Sequence, residues 1–113
     1  MDWKKHYTEL PDKFEETEFL KQVGKTISGQ PIPQAQFSAQ LSDINNALDI
    51  NESDVILDMC CGNGIITAQI SKACESIVGV DFSETLIRIA RTYNNPNNVK
   101  YYCMSALDPE IKN

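Results

Sequence analysis

Two kinds of hydrophobic spacing divide the chain, and the change falls near Asp49. Before it, apolar residues recur every three or four positions: Phe19, Val23 and Ile27, then Phe37, Leu41, Ile44 and Leu48. That interval stacks side chains on one face of a helix. The first set predicts an amphipathic helix opening at Asp12, with Glu15 three residues on as in a capping box, and running to Ile27 before Gly29, Pro31 and Pro33 stop it. Gln30 to Gln36 reads as a proline-bearing linker. The second set predicts a helix from Gln34 to Leu48, polar along Ser38, Ser42 and Asn45. Ahead of both, Trp3 and Tyr7 lie four apart and would share a helical face, docking this terminus on the body.

After Asp49 the apolar runs shorten. Val55 to Leu57, Ser76 to Val80 and Val99 to Cys103 are β-branched or aromatic runs too short for helices, as expected of strands in a parallel sheet. Between them, Ile66 and Ile70 support a helix from Ile65 to about Ala73. Ser83 can cap another from Glu84 to Tyr93, with Leu86, Ile87, Ala90 and Tyr93 inward and Arg88 and Arg91 outward. The run NNPNN from Asn94 to Asn98 ends it. Strand, helix, strand, helix, strand is one mononucleotide-binding half of an α/β, doubly wound parallel sheet. Right-handed crossovers set the strands in the order third, second, first, so the first strand becomes an edge with unpaired backbone. Residues 1–48 are expected to form an N-terminal helical segment, and residues 49–113 the N-terminal half of a nucleotide-binding domain. Its sheet would be truncated after the third strand and completed by a longer chain, by a homodimer or by exchange of elements.

The candidate chemistry sits at the strand ends. The first strand closes on Asp58 and breaks into Cys60, Cys61, Gly62, Asn63 and Gly64, where the glycines allow a sharp turn and close ligand approach. The second closes on Asp81, placed to accept hydrogen bonds from ribose hydroxyls at the carboxyl edge of the sheet. An NAD fingerprint would require a third glycine where Thr67 stands. Gly24, Lys25 and Thr26 look like the tail of a P-loop, but its first glycine would fall at Phe19 and no strand precedes it. His6, the single histidine, reads as a surface residue rather than a base or a ligand.

The stretch VILDMCCGNG from Val55 to Gly64 resembles motif I of the class I S-adenosylmethionine-dependent methyltransferases, D/E-x-G-x-G-x-G. Asp58 takes the acid slot, Gly62 and Gly64 take two glycine slots, and Cys60 replaces the first glycine. Asp81, Phe82 and Ser83 match the family's continuation after the second strand. VKYYCMSALD, from Val99 to Asp108, is similar to its third strand and adenine loop, with Ser105 in place of an aspartate and Ala106 beside it. The likeness covers about half the chain. It implies a Rossmann-like methyltransferase that binds S-adenosyl-L-methionine. The turn from Cys60 to Gly64 would lie against the methionine moiety, Asp58 would help order that loop or meet the amino group through water, Asp81 would hold the ribose, Phe82 would pack near adenine, and Ser105 with Ala106 would border the adenine edge. Trp3 and Tyr7 would belong to a lid, and Gln34 and Gln36 would border the pocket or remain in a solvated linker. No acceptor-side catalytic residue is named by the likeness. An NAD-type oxidoreductase fragment and a non-catalytic cofactor-binding module are the alternatives.

Composition narrows the partner. The net charge is -6, and the first 54 residues carry five Lys or Arg against ten Asp or Glu. Nucleic-acid binding needs clustered basic residues, so a small-molecule acceptor is expected rather than RNA or DNA. The four cysteines form no C-x-x-C pair and no metal site, and they read as small side chains in a reducing, cytoplasmic setting. The N-terminus is too polar for a signal peptide, and no apolar run approaches the ~20 residues of a membrane span.

Overall fold

The computed structural model describes residues 2–104, excepting the side chains of Trp3, Lys4 and Tyr7. Ser105 and Ala106, expected at the adenine edge, lie outside the described residues, as do the expected docking roles of Trp3 and Tyr7.

Three parallel strands form the centre: β3 (Val55–Met59), β4 (Ser76–Asp81) and β5 (Val99–Cys103), in the order β3-β4-β5. Asp58 pairs in register with Gly79, Gly79 with Tyr101, and Asp81 with Cys103. Among the described residues the predicted order is therefore observed, with β3 at the edge. Two helices cover one face, α4 (Ile65–Ile70, extended by a 3-10 turn over Ser71–Ala73) and α5 (Glu84–Tyr93). Ile70, Ile87 and Ala90 meet Ile77, Val99 and Tyr101 there, all less than a tenth exposed, and form the core. Alternation along the strand sends Val55, Leu57 and Met59 to the other side, where they remain 70%, 62% and 45% exposed. That is a bare apolar face.

The capping of α5 follows the sequence: the Leu86 N–H donates to Ser83 Oγ at 3.2 Å. Its last residue does not. Tyr93, expected inward, is 43% exposed and donates its hydroxyl to Glu16 Oε2 at 2.8 Å, while Ile89 takes a core position. A hydroxyl on the ring favours the helix flank, where a carboxylate is within reach.

The single helix expected from Asp12 to Ile27 is not formed. After α1 (Trp3–Glu9), the chain makes a 3-10 turn over Leu10–Lys13 and a four-residue helix, α2 (Phe19–Gln22), and then a hairpin of β1 (Thr26–Ile27) and β2 (Gln30–Pro31). Phe14 is extended, and Gly24 at φ +73° ends α2 in the left-handed region. Ser28 and Gly29 both have positive φ, as in a two-residue hairpin turn, so Gly29 joins two strands instead of terminating a helix. The carboxylates of the stretch also find partners outside a helix: Asp12 accepts from Thr85, and Glu16 from Arg88 and Tyr93. The next helix, α3 (Gln34–Leu48), spans the predicted residues.

Candidate functional site

The turn between β3 and α4 determines the site. Cys60, Gly62 and Gly64 have φ of 60°, 60° and 79°, a left-handed backbone that costs an ordinary residue roughly 1–2 kcal/mol. Cys60 bears that cost where the motif has glycine. The other two have no room for more than hydrogen: a Cβ on Gly62 would meet Val23 Cγ1 at 2.9 Å, and one on Gly64 would collide with the Tyr101 hydroxyl and Cζ. Tyr101 lies beneath the turn, 3% exposed, and donates its hydroxyl to the Asn94 carbonyl at 2.5 Å. It fits because its strand partner is Gly79, where a Cβ would meet Tyr101 Cδ1 and Cys61 Sγ, each at 2.9 Å.

Asp81 faces the turn across the sheet edge. Its Oδ1 accepts the Gly62 N–H at 3.2 Å and its Oδ2 the Ser83 N–H at 3.0 Å. The main chain is fixed as well: the Cys61 N–H donates to the Val80 carbonyl, and the Met104 N–H to the Asp81 carbonyl. Burial pushes the carboxyl above its ordinary value, and the two N–H bonds draw it part of the way back. Each oxygen keeps acceptor capacity, and the residue lines a cavity of about 300 Å³ shared with Gln22, Val23, Cys60, Phe82 and Leu86. A buried acid with unused lone pairs, opening onto an apolar cavity, fits the hydroxyl edge of a nucleoside.

Asp58 lies on the same face of the sheet, one strand over. Its Oδ2 accepts the Thr67 hydroxyl at 2.6 Å. Burial raises its pKa, the Thr67 bond lowers it, and the negative charge of Asp81 adds to the rise. Thr67 is fully buried, so the place where a dinucleotide site has its helix-packing glycine is filled by a side chain bonded to Asp58. Asp58, Cys60 and Cys61 border a second cavity of about 270 Å³. Burial, with Asp58 and Asp81 nearby, pushes the Cys61 thiol upward, so it stays a neutral, packed group.

Of the expected site residues, Asp58, Cys60, Cys61, Gly62, Asp81 and Phe82 border these two cavities. Asn63 does not turn to them with its side chain. It is fully buried, its Nδ2 donates to the Phe19 carbonyl at 2.8 Å and to Gln22 Oε1 at 3.0 Å, and its Oδ1 accepts the Ile65 N–H. Gln22 in turn donates to the Glu15 and Glu16 carbonyls. This network fastens the N-terminal segment over the turn. Gln34 and Gln36 are exposed, and Gln34 bonds Ser38. A larger cavity, about 460 Å³, is lined by residues of and around α2 with Gln30 and Pro31, and reaches only Ile65 of this region. It has neither aspartate, so size does not identify the site.

Sequence reasoning missed Val23, Gln22 and Tyr101. For Tyr101 a signal was present, since an isolated glycine inside a strand, Gly79, marks a close approach.

Parallel strands joined by covering helices, a glycine turn after the first and a buried acid at the end of the second define a Rossmann-like nucleotide-binding domain. The sequence pattern of the methyltransferase domain family matches residues 56–113, and the chain belongs to that family, the class I S-adenosylmethionine-dependent methyltransferases. S-adenosylmethionine is the family's cofactor. The chain is 37% identical over 65 residues to the malonyl-[acyl-carrier protein] O-methyltransferase of Bacillus anthracis, covering 56% of this chain and 24% of that protein. It is 34% identical over 64 residues to the 23S rRNA (uracil(1939)-C(5))-methyltransferase RlmD of Francisella tularensis subsp. novicida, covering 54% and 14%. The fold is similar to that of an S-adenosylmethionine-dependent methyltransferase of Anabaena variabilis, with TM-score 0.63 and 19% identity over 96% of this chain and 42% of that one. The chain thus spans a quarter or less of these two curated relatives. An rRNA methyltransferase among them runs against the expectation that nucleic acid is excluded. No helix among the described residues is long and apolar enough to cross a membrane.

Proposed function

We propose that this chain forms the donor side of a methyltransferase, holding S-adenosylmethionine over the Cys60–Gly64 turn for transfer to a small-molecule acceptor. The observation that carries it is Asp81, buried at the end of β4, with each oxygen held by one backbone N–H and the residue lining the cavity. When bound, the cofactor supplies an electrophilic methyl group on a sulfonium, a good leaving group. The residues then position and exclude water. Asp81 accepts from the ribose hydroxyls, Phe82 and Leu86 give the adenine an apolar wall, and the turn carries the methionine moiety, with Asp58 toward its ammonium. Gly62 and Gly64 keep the backbone close, and Asn63 keeps the turn in shape from behind. Ser105 and Ala106 are assigned to the adenine edge by family likeness alone.

A small acceptor is favoured over RNA by the acidic N-terminal half, which has twice as many carboxylates as cations. The open edge of β3 and its bare face are where further strands and helices, from a longer chain or a second copy, would complete the sheet. Calorimetric titration with S-adenosylhomocysteine, with NAD as control, tests the donor site. Micromolar binding that Asp81→Ala reduces at least tenfold is expected. A folded chain that prefers NAD, or binds neither, refutes the proposal.

A further inference from the structure

We propose that Lys25 receives the carboxylate of the cofactor's methionine moiety. The proposal rests on the S-adenosylmethionine reading above. Three cavities surround the turn and share Cys60: one opens on Asp81, one on Asp58, and a third of about 250 Å³ on Lys25. The third also shares Val23 and Gly62 with the Asp81 cavity, and Cys61 and Ile66 with the Asp58 cavity. Of the described residues lining the three, Lys25 is the one cation. A ligand with its nucleoside at Asp81 and its amino-acid end across Cys60 meets a carboxylate on one side and an ammonium on the other. These are complementary to the ammonium and carboxylate of a methionine.

Lys25 is also built into place. Gly24, at φ +73°, reverses the chain so that the Lys25 N–H donates to the Leu20 carbonyl at 2.8 Å, and the Lys25 carbonyl accepts the Ile32 N–H at 3.1 Å. Its half-buried side chain donates one N–H to Gln40 Oε1 on α3 at 3.1 Å, which directs the ammonium and leaves it further donors.

The test uses two ligands that share the nucleoside: S-adenosylhomocysteine, and 5′-methylthioadenosine, which lacks the amino-acid group. Titrated into the full chain, Lys25→Met is expected to weaken the first about tenfold or more and the second less than twofold, because only the first carries the carboxylate. Lys25→Arg should restore most of the loss, and far-UV circular dichroism should show all three proteins folded alike. Equal weakening of both ligands, or a loss common to Met and Arg, makes Lys25 structural and overturns the proposal. Unchanged homocysteine-adduct binding in Lys25→Met, while Asp81→Ala loses it, overturns the Lys25 assignment and leaves the donor site standing. A wild-type chain that binds neither ligand overturns both.

Discussion

Gly64→Ala tests whether the turn is supported by Tyr101, and Gly29→Ala is its internal control. Both glycines have nearly the same left-handed backbone, φ 79° and 78°. Alanine costs each about 1–2 kcal/mol in conformation, partly offset by the smaller entropy of the unfolded chain. These terms cancel in the comparison. What differs is the surroundings: nothing lies within 4 Å of a Cβ on Gly29, whereas one on Gly64 overlaps the Tyr101 hydroxyl and comes within 2.8 Å of its Cζ. Tyr101 cannot swing away freely, being buried and bonded to the Asn94 carbonyl. Overpacking costs about 1–3 kcal/mol, and a displaced hydroxyl about 1 kcal/mol more, so Gly64→Ala should be about 2–4 kcal/mol worse than Gly29→Ala. Against a total of ~5–15 kcal/mol for a domain, that gap is large. Urea unfolding followed by far-UV circular dichroism measures it, and Tyr101→Phe, by removing the nearest atom, should shrink it. A gap under about 1 kcal/mol, or no relief from the phenylalanine, refutes the idea that Tyr101 sets the turn.

Two further outcomes follow from the buried polar groups. Asp58 and Asp81 both have carboxyls raised above the ordinary 3.8, so the folded chain keeps its protons to higher pH than the unfolded one. Their contribution to stability is full below 3.8 and is lost as pH rises through the raised values. Asp58→Asn can still accept the Thr67 hydroxyl, so it should raise the urea midpoint at pH 7 and flatten its fall between pH 4 and 7; a variant with the wild-type slope would sink this. Asn63→Ala strands the Phe19 carbonyl, the Gln22 amide and the Ile65 N–H, and should cost about 3 kcal/mol while hastening proteolysis between residues 10 and 25. An unchanged cleavage pattern would mean the N-terminal segment is fastened elsewhere.

The sheet half of the fold was legible because its signals are local and agree: β-branched runs, a serine cap before Glu84, and an asparagine-proline break before Val99. The two aspartates were legible for the same reason, each ending an apolar run. The N-terminal quarter was not. Phe19, Val23 and Ile27 keep a helical interval by coincidence, while Gly24 and the Ser28–Gly29 turn, which break it, read equally well as helix-interior and helix-stop residues. Asn63 was placed correctly on the turn, but its direction depends on Phe19 and Gln22, over 40 residues away, and no local pattern reports that. Lys25 was set aside with a P-loop resemblance that lacked its strand, and only the fold brings it to a cavity shared with Cys60.

Because one phenol ring fills the space left by Gly64 and Gly79, positions 64, 79 and 101 cannot drift separately. Any lineage that enlarges either glycine must first, or at once, shrink the ring. A descendant with a small residue at 101 would lose the ring's clash at both, while Gly64 would keep its left-handed backbone and Gly79 its close contact with Cys61 Sγ. The order in which such changes accumulate is therefore constrained by sterics alone, before selection on the methyl acceptor has any say.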